Sequence, residues 1–260
     1  MINVEITDLT LLIAFWLSFT RWVTTLYQLP FFDNVIIPDI VKILFSVVIT
    51  YAFFPFVKET IYRDMAFVGQ EHFWVLTIAY TLMGLMIGFL IKSIMNAYIM
   101  AGTLITQNIG LSASRYFDPT FQAIGPFEKL IQETMIVLIV TSGAIAPMFK
   151  GTFLAFEKFN LVTMYAFIAD FEMQWFLDFI KSLFLAGLVL AAPVMVMNLL
   201  LTVVMGVITK AIPQMNILVI SFIINIGVGF LVFALISEDF FRVAFDLYQG
   251  YLIDWYNIIS

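Results

Sequence analysis

The sequence predicts an all-α, polytopic membrane protein built from helical hairpins. The composition is 63% hydrophobic and 12% charged, with a mean hydropathy of +1.04. A soluble domain carries about 25% charged residues. Apolar runs of roughly 20 residues, the length that crosses a bilayer core, recur six times, at 9–29, 40–57, 73–100, 130–149, 176–208 and 215–236. No low-complexity linker separates them, so residues 1–260 read as a single helical domain.

The first run, LTLLIAFWLSFTRWVTTLYQL, follows the acidic stretch MINVEITDLT. A signal peptide would open with basic residues, so this run is expected to stay in the protein. It holds Arg21 within apolar sequence. The third run holds Gly84 and Gly88 four residues apart, a spacing that lets another backbone approach closely. That spacing is common in apolar helices, so packing is the preferred reading over a dimer motif. The same run carries Lys92, with Asn96 one turn further on the same face. An ionisable group at that depth is a functional candidate by default. The other reading puts Lys92 at a protein–protein or wet surface, and the cost of a charge in lipid favours it. Gln132 and Glu133 in the fourth run, and Arg21 in the first, pose the same choice.

After the third run stands AGTLITQNIGLSASRYFDPT, residues 101–120. Gly102, Gly110 and the Ser/Thr cluster are poor helix formers. Asp118-Pro119 marks a stop, because the residue before proline avoids helical geometry. The stretch therefore reads as a loop. Non-helical backbone at membrane depth persists only inside protein or against a water-filled cavity. A loop mixing Ile105, Ile109, Leu111 and Phe117 with small polar residues is able to fold inward, pack and still move. The plainer alternative is an exposed connecting loop.

Pro193 and Asn198 are expected to interrupt the fifth run, since proline removes a donor and frees a carbonyl. Residues 238–260 read as an amphipathic helix: Phe241, Phe245, Tyr248, Leu252, Trp255 and Ile259 recur on one side. Asp239, Arg242, Asp246, Gly250, Asp254 and Asn257 lie mostly opposite. An anionic bilayer would repel that acidic face. Either a partner protein or the chain's own bundle covers the apolar one. The 14 methionines and 29 phenylalanines suit core filling, or a surface that seals and adapts.

Several functions are disfavoured. A net charge of −6 argues against nucleic acid, which requires a basic footprint. With no Cys and a single His72, Cys-based metal sites, His clusters and thiol nucleophiles are ruled out. No G-x-S-x-G, H-E-x-x-H or P-loop occurs, and Asp and Glu fall mostly between the apolar runs. An enzyme is therefore not expected, nor a cofactor or metal. Orientation is not set by charge either. Lys58, Arg63, Lys150, Lys158 and Arg242 would lie on one side, and Lys42, Arg115, Lys129 and Lys210 on the other.

Taken in order, several segments resemble the FliR family of flagellar export-gate proteins and its injectisome counterpart of the SctT type. Arg21, Pro30, Pro38, Lys42 and Pro55 fall at family-like spacing. MGLMIGF at 83–89 is similar to the family's third-helix glycine motif, and residues 101–119 resemble its central loop. ITKAIPQMNILVISF at 208–222, with Pro213, Gln214 and Asn216, then Gly227 and Gly229, resembles its most recognisable segment. PQMN leans toward the flagellar branch. The chain departs from the family at Thr103, where Glu is usual, at Thr106, where Gly is usual, and at Ile223, where Pro is frequent.

The resemblance implies a pore-forming structural subunit of a type III protein export gate in the bacterial inner membrane, raised partly toward the periplasm. It implies FliP-like and FliQ-like partner subunits, an FlhB-like switch protein, an FlhA-like export component and unfolded export substrates. It implies no enzymatic activity. It divides the chain into a FliP-like part, about 1–175, and a FliQ-like part, about 176–260. In the family the central loop plugs the closed pore. Carried over, the plug is about 106–124, with Thr106, Asn108, Gly110, Leu111, Ser112, Phe117 and Asp118 its best-matched positions. A self-contained small-molecule or ion transporter is the alternative of another class. It would want paired broken helices, and Pro193 has no counterpart in the third run.

Overall fold

The computed structural model describes residues 9–32, 37–113, 125–163, 173–211 and 217–259. Among these, seven α-helices follow one another: α1 (Leu9–Leu26), α2 (Asp39–Val68), α3 (Phe73–Ile109), α4 (Pro126–Thr141), α5 (Ile145–Lys158), α6 (Met173–Ala211) and α7 (Ile217–Ile259). Short 3-10 turns precede α3 at Gln70–His72 and follow it at Leu111–Ala113. No strand occurs among the described residues. The all-α polytopic expectation holds: five helices are long and apolar enough to cross a membrane, and α4 with α5 would make a sixth span.

The chain packs as two compact units. One contains α1, α2, the first part of α3 to Ser93, and α5. Its core is aromatic. Trp22, fully buried, stacks on Phe53 at 5.4 Å and lies 5.9 Å from Phe156. Phe153 lies 5.4 Å from Phe53. On α2, Ile49, Val57, Ile61 and Met65 turn inward, while Ile40, Leu44, Val48 and Tyr51 stay exposed.

The second unit contains α3 from Ile94, α4, and most of α6 and α7. Ile94, Tyr98, Ala101, Ile105 and Ile109 recur every three or four residues and are fully buried. Ile131 and Met135 of α4, Leu190, Ala191 and Val194 of α6, and Phe233, Ala244 and Tyr248 of α7 complete that core. Gly187 of α6 lets α3 come close: a Cβ there would meet Met100, and the Ala97 carbonyl at 3.0 Å.

Four expectations about helix limits need correction. The third helix does not stop at 100 but runs to Ile109. Its polar residues satisfy themselves along the helix: Thr103 donates to the Ile99 carbonyl, Thr106 to that of Gly102, and Asn108 Nδ2 to that of Leu104. The fourth run is broken, not straight. Ser142 ends α4, and Gly143 turns the backbone at φ 75° before α5 begins. Pro193 does not interrupt α6, which continues for 39 residues. An exposed proline removes one backbone bond, and packing of Ala191 and Val194 on its flanks holds the rest. The sixth run and the tail form one helix of 43 residues. In its second half, Phe240, Ala244 and Tyr248 turn inward at a four-residue repeat, while Glu238, Asp239, Arg242 and Asp246 are exposed. That half folds on its own bundle. Phe241 and Phe245 are only half-buried there.

Candidate functional site

The described residues that flank the central segment form a defined stem within the second unit. α3 ends because Gly110 adopts φ 88°, a left-handed geometry that favours glycine, and its N–H closes a tight turn on the Gln107 carbonyl at 3.3 Å. Side chains are also excluded there: a Cβ on Gly110 would lie 3.0 Å from the Phe222 ring of α7. Two turns along α7, a Cβ on Gly229 would strike Ile109. α7 therefore crosses the end of α3 in close contact.

The other end of the stem is Gly125, extended at φ −71° and ψ 165°, with Pro126 opening α4. Proline suits this first helical position, where its missing N–H has no partner to lose. Phe127 is then wedged edge-on against Phe233 at 4.8 Å and Phe230 at 5.6 Å. Gly102 is not a helix breaker here but a crossing point. A Cβ on it would lie 3.1 Å from Ile131 and 3.3 Å from the Glu128 backbone. Both ends of the stem border one apolar cavity of about 260 Å³, lined by Thr106, Leu111, Gly125, Pro126, Phe127, Leu130 and Phe230.

α6 joins the stem through Asn198, whose Nδ2 donates to the Asn108 carbonyl in the last turn of α3. Asn198 is therefore a tie between helices and not a break.

The first unit holds a separate polar cluster. Arg21 is fully buried. Its guanidinium donates to the Ala155 carbonyl at 2.6 Å and the Phe159 carbonyl at 2.9 Å, and lies 4.3 Å from the Phe156 ring centroid. Ala155 lies in the last turn of α5 and Phe159 is the residue just past it, so Arg21 caps the negative end of that helix. Asp64 completes the arrangement. It accepts from the Tyr80 hydroxyl at 2.7 Å and from the Leu161 N–H at 3.1 Å. Asn160 in turn accepts from the Thr163 N–H at 2.9 Å. Arg21 from α1 and Asp64 from α2 thus grip the chain just after α5.

The α1–α3 contact uses the glycine pair. A Cβ on Gly84 would meet Thr24, and the Arg21 carbonyl at 2.5 Å; one on Gly88 would lie 2.8 Å from Gln28. Hydrogen bonds cross the seam: Thr25 donates to the Gly84 carbonyl at 3.1 Å, and Gln28 to that of Leu85 at 2.9 Å. Gly227 differs, with nothing within 4 Å of its Cβ position.

The remaining predicted residues lie apart. Thr106, Asn108, Gly110, Leu111 and Ser112 gather at the stem, the first two within α3 and not in a loop. Lys92 is half-buried on α3 within the first unit. Pro38 precedes α2, Pro30 is buried in the turn after α1, and Lys42 reaches Asp39 at 3.4 Å and the Tyr27 ring at 5.2 Å. Phe117, Asp118, Pro213, Gln214 and Asn216 lie outside the described residues. Sequence reasoning passed over Asp64, Tyr80 and Asn160. Asp64 fell beyond the expected end of the second helix and read as a loop acid. It is instead a fully buried residue of α2. An apolar repeat persisting through Ile61 and Met65 was the available signal.

Residues 12–250 match the family described as bacterial export proteins, family 1. The chain belongs to that family. The flagellar biosynthetic protein FliR of Aquifex aeolicus (strain VF5) is 24% identical over 250 residues, covering 92% of this chain and 95% of its own. FliR of Bacillus subtilis (strain 168) is 23% identical over 249 residues, covering 95% of each. The Yop proteins translocation protein T of Yersinia pestis is 20% identical over 168 residues, 64% of this chain and 61% of its own. The resemblance read from the motifs is thus sustained along the chain, in a family of protein-export components.

Proposed function

We propose that this chain is a pore-forming structural subunit of the flagellar type III protein export gate. In this role it passes unfolded flagellar substrates across the inner membrane without chemistry of its own. The flagellar relatives match over nearly their full lengths, whereas the Yersinia translocation protein matches over 61% of its own, which favours the flagellar over the injectisome reading. Its partners in this reading are FliP-like and FliQ-like subunits, an FlhB-like switch protein and an FlhA-like component. Residues to about 175 take the FliP-like role and those from about 176 the FliQ-like role.

The observation that carries the plug is the stem. α3 and α4 are fixed to each other at Gly102 and to α7 at Gly110 and Phe127, and both stem ends border one cavity. The described residues on either side of the central segment are thereby packed against helices, and a fixed base of this kind supports the plug reading. Thr106 to Ile124 is the proposed plug, and Thr103, directed along α3 to the Ile99 carbonyl, carries no charge into it.

The test removes residues 110–118 from the chain, co-expressed with the neighbouring export subunits. The expected result is an assembled complex, seen at full mass by native mass spectrometry, whose membrane leaks small ions. An assembled complex with a tight membrane would overturn the plug. A lone monomer from the intact chain beside its co-expressed neighbours would overturn the gate subunit itself.

A further inference from the structure

The first turns of α6 carry an apolar groove of about 380 Å³, lined by Leu177, Ile180, Lys181, Phe184, Leu185 and Leu188. These positions recur every three or four residues, so they share one face of the helix. The opposite face is already used: Phe179, Leu183, Ala186 and Leu190 are buried in the second unit. In the groove, Leu177, Phe184 and Leu185 are 54%, 58% and 57% exposed. Lys181 is exposed beside them and has no carboxylate partner among the described residues. Asp178, one turn back, takes a hydrogen bond from Gln174 Nε2 at 3.5 Å instead.

Lipid does not account for this face. Tyr251 of α7 donates to the Ser182 carbonyl at 2.9 Å, and its ring lies 6.2 Å from that of Phe179. The start of α6 and the Tyr251 turn of α7 are therefore level. From there α6 runs to Asn198 at the end of α3, whereas α7 arrives from Phe222 and Gly229 at that same end. The two helices are antiparallel, and the exposed Asp239 and Asp246 of α7 fall between these levels. Asp246 is five residues before Tyr251, about 8 Å along the helix, which brings it level with the Leu188 end of the groove. Carboxylates do not face hydrocarbon tails, so the groove stands at a height where lipid is not its solvent. Water suits it no better, because contiguous apolar patches are rarely left exposed. A protein surface is the remaining cover.

We propose that this groove docks an apolar helix of a neighbouring subunit that carries an Asp or Glu opposite Lys181. Apolar side chains spaced three or four apart on the partner seat on Leu177, Ile180, Phe184 and Leu188. The partner's carboxylate pairs with the Lys181 ammonium, the one charge lining the groove. A helix shifted by a turn would lose that pair, so Lys181 sets the register of docking. The inference rests on the export-gate reading for the existence of a neighbouring subunit, and it names where and by what chemistry one attaches.

The experiment installs a photo-reactive side chain, Phe184→p-benzoylphenylalanine and separately Leu177→p-benzoylphenylalanine, in the full chain co-expressed with its neighbouring export subunits. Irradiation is expected to link this chain to a neighbouring subunit. Tandem mass spectrometry of the linked peptides should place the link on an apolar helix that holds an acidic residue. Lys181→Glu sets like charges against each other and should cut the yield about tenfold, whereas Lys181→Arg should preserve it. Links only to lipid, to detergent or within this chain, from a complex of full mass, would overturn the docking surface and leave the gate reading standing. A linked segment without Asp or Glu, or a yield that Lys181→Glu leaves unmoved, would overturn the pairing at Lys181. A monomer by native mass spectrometry, from the intact chain beside its neighbours, would overturn the gate reading and the docking with it.

Discussion

Arg21 shows how much one residue can decide. A guanidinium with no exposed surface, donating to two carbonyls at the end of α5, is a capping device in a dry setting. Replacing it by Met would remove both of these charge-assisted hydrogen bonds, at roughly 1.5–3 kcal/mol each. Arg21→Met is therefore expected to lower the unfolding midpoint strongly and to open residues 159–163 to protease. Arg21→Lys should recover less than half of the loss, because a point-charge ammonium does not match the guanidinium fork. Full recovery by Lys would show that charge alone matters. The glycines make a second contrast. Gly84→Ala would push a methyl to 2.5 Å from the Arg21 carbonyl, a clash worth about 1–3 kcal/mol. Gly227→Ala meets nothing and should stabilise helix α7 by up to about 1 kcal/mol through propensity. Thermal melts of the two variants should move in opposite directions. If Gly227→Ala blocks only assembly with partners, that open face is where a neighbouring helix sits.

At the scale of elements, the joints matter more than the helices. Gly143 ends the α4–α5 break at φ 75° with no atom within 4 Å of its Cβ position. The penalty for a side chain there is backbone strain alone. Gly143→Ala should cost about 1 kcal/mol, and Gly143→Asn about half of that, because Asn tolerates left-handed geometry better. Equal melting midpoints for all three would mean the joint has relaxed to ordinary geometry. Gly102 shows the opposite case. It read as a helix breaker, yet α3 runs through it because α4 crosses there. Local propensity weighs about 1 kcal/mol for a glycine, and close packing of two helices outweighs it.

At the scale of the whole chain, three helices are longer than a bilayer core is thick. At 1.5 Å per residue, the 37, 39 and 43 residues of α3, α6 and α7 run to about 55, 58 and 64 Å. The hydrocarbon core is about 30 Å. The exposed acids Glu238, Asp239 and Asp246 of α7 mark a part that does not face lipid tails. The chain lacks cysteine, so single substitutions can report depth without background. Asp246→Cys should react with a membrane-impermeant maleimide in the assembled complex, and Leu231→Cys should not. The reverse pattern would place the acidic half in the bilayer.

The sequence alone determined what depends on composition and on local pattern. An apolar majority with few charges forces helices, because backbone polar groups in lipid must pair within their own segment. The order of Arg21, the 83–89 glycines and the 208–222 segment was enough to point to the family. It did not reveal where helices end, since Thr103, Thr106 and Asn108 bond back along α3 and leave no trace of a break. Nor did it pair Arg21 with Ala155, Asp64 with Leu161, or Asn198 with Asn108. Those contacts join residues 134, 97 and 90 positions apart. Only the packing of helices brings such partners together. It is therefore tertiary structure that decided which polar residues became ties between helices.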